Sequence, residues 1–173
     1  MARSGKAVIC RELNKPVVVE TISVDGPKRG EVTLKIAACG VCHSDLSATN
    51  GTIALPPPLV LGHEAAGRVE KVGYDVEDIQ VGDRVVVTGT SQCGQCYQCL
   101  HGRPDYCQFT FFSNAQGVEP FAPFAEFLDG TPVYAQAGIG GMSEIMTAFE
   151  EYCVPVFTKT PAVDLSVLGC VGA

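Results

Sequence analysis

Short apolar runs separated by turn residues fill the first ninety positions of the chain. Five of these runs are rich in Val, Ile and Thr and have the length of β-strands. They are Lys6–Cys10, Val17–Ser23, Glu31–Ala38, Ala65–Val72 and Arg84–Thr88. Glycine, proline and aspartate punctuate them, for example at Asp25-Gly26-Pro27 and Gly82-Asp83. The pattern predicts a mainly β fold of the Greek-key or barrel type.

The remaining elements are predicted to be short. His43–Thr49 contains no helix breaker and predicts a short helix, and Met142–Val156 predicts a return to strand. Asp164 is a suitable N-cap for a helix over Leu165–Val171. Residues 113–141 are rich in Gly, Pro and Phe and are not assigned. We expect six phenylalanines in and around this stretch to serve core or interface packing. They are Phe109, Phe111, Phe112, Phe121, Phe124 and Phe127.

Composition narrows the class of protein. The 173 residues, 46% of them hydrophobic, are enough for one domain over residues 1–173 with a real core. The net charge of −7 argues against nucleic acid or an anionic membrane as a partner, and no apolar run is long enough to span a bilayer. Nine cysteines without an N-terminal signal peptide indicate a reducing compartment and metal binding, and we expect a cytoplasmic protein.

Four closely spaced cysteines are the strongest chemical signal. Cys93, Cys96, Cys99 and Cys107 stand in the segment CGQCYQCLHGRPDYC. The two-residue gaps allow successive thiolates to turn back onto one ion, and the longer gap brings in the fourth. Four thiolates complete the tetrahedral coordination of Zn²⁺ and leave no open position. The pattern therefore predicts a structural zinc that orders residues 92–112.

Two alternatives for these cysteines remain open from the residues alone. A bacterial iron–sulfur run has three residues before its fourth cysteine and a proline after it, whereas seven residues intervene here and Gln108 follows. Disulfide bonds are the other alternative, and they are expected in secreted chains.

A second candidate metal site is spread along the chain. Cys42, His63 and Cys170 offer two thiolates and one imidazole. This donor set is typical of a catalytic zinc with its fourth position open. Such a zinc acts as a Lewis acid and lowers the pKa of a bound alcohol. The segment Cys39-Gly40-Val41-Cys42 also has the C-x-x-C spacing of a thioredoxin-like redox motif, although no βαβ pattern flanks it.

Five elements in order carry a family resemblance: GVCHSD, GHE, VGDRV, the four-cysteine loop and the terminal LGC. Their order and spacing resemble the zinc-dependent alcohol dehydrogenases of the medium-chain dehydrogenase/reductase family. The resemblance covers essentially the whole chain, as the GroES-like catalytic domain of that family. It implies an enzyme that interconverts alcohols and aldehydes or ketones by hydride transfer with NAD or NADP, bearing two Zn²⁺ per chain.

The resemblance also implies roles for individual residues. Cys42, His63 and Cys170 resemble the catalytic zinc ligands, and the other four cysteines resemble the structural zinc ligands. Ser44 resembles the hydroxyl that accepts the proton of the alcohol, and Asp45 the carboxylate that orients the zinc-bound imidazole. The remaining assignments are Glu64 as the carboxylate that approaches the zinc during ligand exchange, His43 as a contact of the cofactor pyrophosphate, and Ile53 and Gly89 as substrate-pocket residues.

The chain departs from the family pattern in two respects. Ser47 stands where many members have the histidine that ends a proton relay. A Rossmann fingerprint is also missing, since the nearest approach, GIGGMS at Gly138–Ser143, lacks the third glycine and a βαβ unit. We therefore expect the chain to be the catalytic-domain part of a longer, homo-oligomeric enzyme that acts on a small alcohol or carbonyl compound. The alternatives are a non-catalytic zinc-binding module and a cysteine-based redox protein.

Overall fold

The computed structural model describes residues 2–89, 92–108 and 124–170, and these residues form a mainly β structure. The ten strands are β1 (Arg3–Cys10), β2 (Val18–Val24), β3 (Glu31–Cys39), β4 (Leu59–Val60), β5 (Ala65–Val72), β6 (Arg84–Val87), β7 (Ala125–Phe127), β8 (Pro132–Ala135), β9 (Ile145–Phe149) and β10 (Cys153–Pro155). The five strands predicted from the first ninety residues are all present, and each boundary lies within three residues of the prediction.

Five strands close into a barrel in the order β1-β2-β7-β8-β4. β1 and β2 pair antiparallel with Val8 opposite Val19. Alternate side chains point inward, so Ala7, Ile9 and Ile22 are buried together with Phe127 and Val133. Closure gives each of these five strands a hydrogen-bonded neighbour on both sides. The predicted barrel-type architecture is therefore confirmed.

The other five strands form a sheet in the order β10-β6-β5-β3-β9. Its centre is the antiparallel pair of β3 and β5, which ends with Cys39 opposite Ala65. Val32, Leu34, Val69 and Met146 are almost inaccessible to solvent in the core of this sheet. β3 ends at Cys39, three residues before Cys42, and β5 begins at Ala65, two residues after His63. The sheet therefore brings together two chain segments that bear candidate metal ligands.

Within residues 2–89, 92–108 and 124–170, the α-helices with described bounds are α1 (His43–Thr49), α2 (Tyr97–Leu100) and α3 (Ala162–Ser166). The boundaries predicted for α1 are correct. The helix predicted over Leu165–Val171 begins earlier, because Pro161 is its N-cap and Asp164 lies in its first turn. Proline fixes its own φ and suits the start of a helix. A 3₁₀ turn over Val167–Gly169 follows and ends at Cys170.

The predicted strand over Met142–Val156 is interrupted. β9 and β10 belong to opposite edges of the sheet, and a 3₁₀ turn over Glu150–Tyr152 lets the chain cross between them. The phenylalanine prediction is confirmed for the two described members, because Phe127 is buried and Phe124 packs against both core clusters. Phe109, Phe111, Phe112 and Phe121 lie outside the described residues.

The glycines of the GIGGMS segment serve a turn. Gly138 and Gly140 both have positive φ, at +71° and +62°. A side chain at Gly140 would meet Val60, Ala135 and Phe124 at 3.1–3.2 Å. The segment therefore packs against the barrel core, in agreement with the expectation that it is not a dinucleotide-binding loop. None of the helices in the described part of the chain has the length and apolar character needed to cross a membrane.

Candidate metal centres

Backbone geometry at Gly62 places His63 at the end of β4. Gly62 has φ +93°, a conformation that L-residues rarely adopt. A Cβ at this position would also lie 2.6 Å from the backbone nitrogen of Met142 and 2.8 Å from Cys39 Sγ. Only glycine therefore fits both the dihedral angle and the space. The chain turns inward here, and His63 is only 8% exposed.

The Asp45 carboxylate connects helix α1 to His63. Its Oδ2 accepts a hydrogen bond of 2.7 Å from the backbone N–H of Cys42, and its Oδ1 lies 3.1 Å from His63 Nδ1. The first contact satisfies an N–H at the start of the helix, where no backbone acceptor is available. The second assigns the proton to Nδ1 and turns Nε2 toward the cluster. One carboxylate therefore fixes both the helix start and the orientation of the imidazole.

His63 Nε2 has no hydrogen-bond partner although it is fully buried. A buried polar atom without a partner is costly, and such an atom calls for a specific explanation. Four potential ligand atoms converge at this point, all within 4.8 Å of one another. They belong to Cys42, His63, Glu64 and Cys170.

The pKa shifts in this cluster are consistent with side chains that release their protons when they bind a cation. The hydrogen bond with Asp45 raises the pKa of His63 to about 9 despite its burial. Burial raises the pKa of Asp45, but the hydrogen bonds with His63 and Cys42 outweigh this effect and the net shift is downward. Hydrogen bonds from Ser44 lower the pKa of Cys42, whereas burial raises that of Cys170 to about 11. Without a cation, protons must neutralise the cluster.

Ser44 and Glu64 lie beside the candidate ligands. Ser44 Oγ is 3.6 Å from Cys42 Sγ, which places its hydroxyl next to one of the candidate ligands. Glu64 is 2% exposed, and one of its carboxylate oxygens is among the four convergent atoms. Gly89 approaches the same site, since a Cβ there would lie 4.0 Å from His63 Cβ. Ile53 is 40% exposed.

His43 is the first residue of α1 and is exposed. Its Nδ1 lies 3.3 Å from the hydroxyl of Ser47, one helical turn further along the chain. This contact links the exposed imidazole of His43 to the buried hydroxyl of Ser47.

The second cluster consists of the four cysteines predicted to bind a structural zinc. The sulfurs of Cys93, Cys96, Cys99 and Cys107 all lie within 4.8 Å of one another, and none forms a disulfide. The backbone N–H of Cys96 donates to Cys93 Sγ at 3.3 Å, and that of Cys93 donates to Cys107 Sγ at 3.4 Å. Backbone N–H groups aimed at sulfur stabilise thiolates.

Both clusters fit Zn²⁺. Sulfur ligands 2.3 Å from a tetrahedral ion stand about 3.8 Å apart, and Cys93 Sγ and Cys99 Sγ are 4.0 Å apart. In the first cluster, the unpartnered Nε2 of His63 and two cysteine sulfurs provide the soft and borderline donors that zinc prefers. The four-sulfur cluster would be complete with its four thiolates, whereas the first cluster has two sulfurs, one imidazole nitrogen and one carboxylate oxygen.

Sequence reasoning missed Gln136. This residue is 3% exposed, and its Oε1 accepts a hydrogen bond of 2.9 Å from the backbone N–H of Gly62. It also hydrogen-bonds to the Asp45 side chain and thereby lowers the pKa of that carboxyl. Gln136 therefore braces both the turn before His63 and the carboxylate behind it. Nothing in the local sequence marks it, because it lies in the stretch that could not be assigned.

Comparison with known protein families and solved structures identifies the domain type of this chain. A model of the alcohol dehydrogenase GroES-like domain matches residues 28–158. The alcohol dehydrogenase zinc-binding domain protein from Burkholderia ambifaria is 30% identical, with TM-score 0.89, over 98% of this chain and 46% of that one. Benzyl alcohol dehydrogenase from Acinetobacter calcoaceticus is 29% identical, with TM-score 0.82, over 97% and 45%.

CAD from Helicobacter pylori, solved with NADP(H), is 22% identical with TM-score 0.73 over 99% of this chain and 47% of that one, which supports the fold alone. The chain thus spans less than half the length of these structures. The family model covers most of the chain, and the barrel and sheet superpose on those of zinc-type alcohol dehydrogenases. The chain therefore belongs to the alcohol dehydrogenase GroES-like domain family.

Proposed function

We propose that this chain forms the zinc-binding catalytic domain of an alcohol dehydrogenase that transfers hydride between an alcohol and NAD or NADP. The observation that carries the proposal is the buried, unpartnered Nε2 of His63, aimed at the sulfurs of Cys42 and Cys170. The separate four-cysteine cluster supports a second, structural Zn²⁺. We further propose that the protein is cytoplasmic, because of its cysteine usage, and homo-oligomeric, because of the family resemblance.

The chain's own residues divide the work at the catalytic centre. Cys42, His63 and Cys170 would hold Zn²⁺, which supplies a Lewis acid that polarises a substrate oxygen. Asp45 keeps the proton on His63 Nδ1, so that Nε2 remains available as a ligand atom. Glu64 is close enough to occupy the fourth position when no substrate does. These residues therefore bind and orient, while hydride transfer belongs to the nicotinamide cofactor.

Ser44 is the proposed acceptor of the alcohol proton. Its hydroxyl lies 3.6 Å from the candidate ligand atom Cys42 Sγ. His43, held by Ser47, is exposed at the same end of α1 and is the proposed contact of the cofactor pyrophosphate. Gly89, close to His63, is proposed to line the substrate pocket. An aromatic alcohol is a candidate substrate, because a benzyl alcohol dehydrogenase is among the similar structures.

The thiol of Cys39 does not support the redox alternative. Burial raises its pKa to about 11, and its Sγ contacts the carbonyl of Gly40 at 3.4 Å. Attack on a disulfide requires a thiolate, which is scarce at that pKa. The surroundings of Cys39 are therefore those of a structural cysteine packed against Gly62.

The direct test is the metal content of the purified chain. We expect two Zn²⁺ per chain by elemental analysis, falling to one in Cys42→Ser and to one in Cys96→Ser. Cys10→Ala, at a buried cysteine outside both clusters, is the matched control and should retain two. One Zn²⁺ in the wild type that survives Cys42→Ser would refute the catalytic site and favour a non-catalytic zinc module. Iron in place of zinc would refute both assignments.

A further inference from the structure

Gly40 lies directly against the carboxylate of Glu64. A Cβ at position 40 would be 2.1 Å from Glu64 Oε2 and 3.2 Å from both Cβ and Cδ of the same side chain. The first distance is far inside van der Waals contact, and the three together show that Glu64 lies across the bare α-carbon of Gly40. No other side chain is as near to that position.

The backbone at Gly40 does not itself demand glycine. Its φ lies outside the positive range in which L-residues are strained, unlike that of Gly62. Its N–H donates a hydrogen bond of 2.8 Å to the carbonyl of Glu64, continuing the pairing of β3 with β5. The φ of Gly40 therefore does not by itself require glycine. The space taken by the Glu64 carboxylate is thus the reason for glycine here.

Glu64 has little room to move elsewhere. The residue is 2% exposed, so its carboxylate cannot swing into solvent. One of its carboxylate oxygens already lies within 4.8 Å of the sulfurs of Cys42 and Cys170 and of a ring nitrogen of His63. A displacement of the carboxylate away from position 40 would therefore bring it toward these ligand atoms.

We propose that Gly40 is a positioning residue whose missing side chain lets the Glu64 carboxylate stand back from the metal and so keeps the fourth coordination position exchangeable. This inference rests on the proposed function, because it assumes a metal at the Cys42 cluster. A side chain at position 40 would push the carboxylate onto the metal and close the position.

Cobalt gives a readout that does not depend on turnover. Co²⁺ replaces Zn²⁺ in tetrahedral sites, and its visible bands report the ligand set. The spectrum of Cys42→Ser supplies the contribution of the four-cysteine site, which is subtracted. Imidazole is then titrated as an added ligand for the fourth position. We expect Gly40→Ala to shift the bands and to weaken imidazole binding at least tenfold relative to the wild type.

Three variants make the outcome specific. Gly5→Ala, where a Cβ meets its neighbours at 3.4–3.6 Å, controls for adding a methyl group and should match the wild type. In a Glu64→Ala background, Gly40→Ala should have no effect on imidazole affinity. If Gly40→Ala does not fold, Glu64→Ala should restore its folding, and failure to do so would overturn the proposal.

The outcomes also separate this inference from the function on which it rests. If the wild type shows no cobalt bands beyond those of Cys42→Ser, the proposed catalytic site fails. If the bands are present but Gly40→Ala binds imidazole as the wild type does, the role of Gly40 alone fails. If Gly40→Ala weakens imidazole binding equally in the wild type and in the Glu64→Ala background, the proposed role of Gly40 is also wrong, because Gly40 would then act through another group.

Discussion

Asp45 shows how much a single side chain contributes to the candidate catalytic centre. Its two oxygens hold the start of α1 and the imidazole of His63 at the same time. Loss of either Asp45 contact would leave the backbone N–H of Cys42 or the buried Nδ1 of His63 without its hydrogen bond, which costs about 1–3 kcal/mol. Metal affinity and local stability are therefore coupled through this carboxylate.

Asp45→Asn should lower the affinity of the Cys42 site for Zn²⁺ by about 10–100-fold, because an outer hydrogen-bond partner of a ligating histidine typically contributes that much. Competition with a chromophoric chelator measures the affinity of each site. Asp78→Asn, at an exposed position, is the matched control and should leave both sites unchanged. Unaltered affinity in Asp45→Asn would show that the His63 orientation does not depend on this contact.

His63 should titrate well above the ordinary range in the metal-free chain. Its pKa of about 9 exceeds the unfolded value of 6.5, so protonated His63 stabilises the fold below pH 6.5 and this contribution is lost as pH rises through 9. NMR can follow the three histidines individually. Zinc must displace the Nε2 proton, so its addition should abolish the His63 titration. A midpoint near 6.5 would contradict the Asp45 interaction.

At the scale of elements, strands with regular patterns could be predicted and short irregular pieces could not. β1, β2, β3, β5 and β6 have enough Val, Ile and Thr to identify them without the fold. β4 has only two residues, and the brief strands β7 and β8 depend on barrel closure more than on propensity. The convergence of the side chains in both clusters could be predicted, because cysteine and histidine at these spacings are typical metal ligands. Gln136 and Gly40 could not, because their roles depend on contacts distant in sequence.

The segment around α2 should owe its order to metal. Cys96→Ser should remove one Zn²⁺ per chain and make residues 92–108 sensitive to protease, since none of the residues of α2 is buried. Limited proteolysis with mass spectrometry locates the cleavage sites. Cys153→Ala, at a buried cysteine of β10, is the control and should leave the segment resistant. Equal resistance in Cys96→Ser would mean that packing alone orders the segment.

At the scale of the molecule, the described residues form a candidate metal site but no recognisable site for a dinucleotide. The barrel and sheet converge on the Cys42 cluster, whereas residues 2–89, 92–108 and 124–170 contain no glycine-rich turn between a parallel strand and a helix to hold a dinucleotide. Hydride transfer requires the donor carbon and the acceptor within about 3–3.5 Å. His43 alone offers too few contacts to offset the entropy of fixing a cofactor.

We therefore expect no NADH or NADPH formation when the zinc-loaded 173-residue chain is mixed with cofactor and a panel of primary, secondary and benzylic alcohols. Absorbance at the reduced-nicotinamide band measures the rate. The chain without zinc and Cys42→Ala provide the background. A rate that saturates with cofactor and disappears in Cys42→Ala would show that this chain holds a dinucleotide by itself.

The position of Cys170 has a consequence for how the chain holds together. α3 rests on the sheet through Leu165, against Ala66 and Val86, and carries Cys170 just beyond its 3₁₀ turn. A cation shared by Cys42 and Cys170 would join distant parts of the sequence as a cross-link does, removing freedom from the unfolded chain. The proposed metal would then also stabilise the fold, and we expect the metal-free chain to unfold more readily than the metal-loaded one.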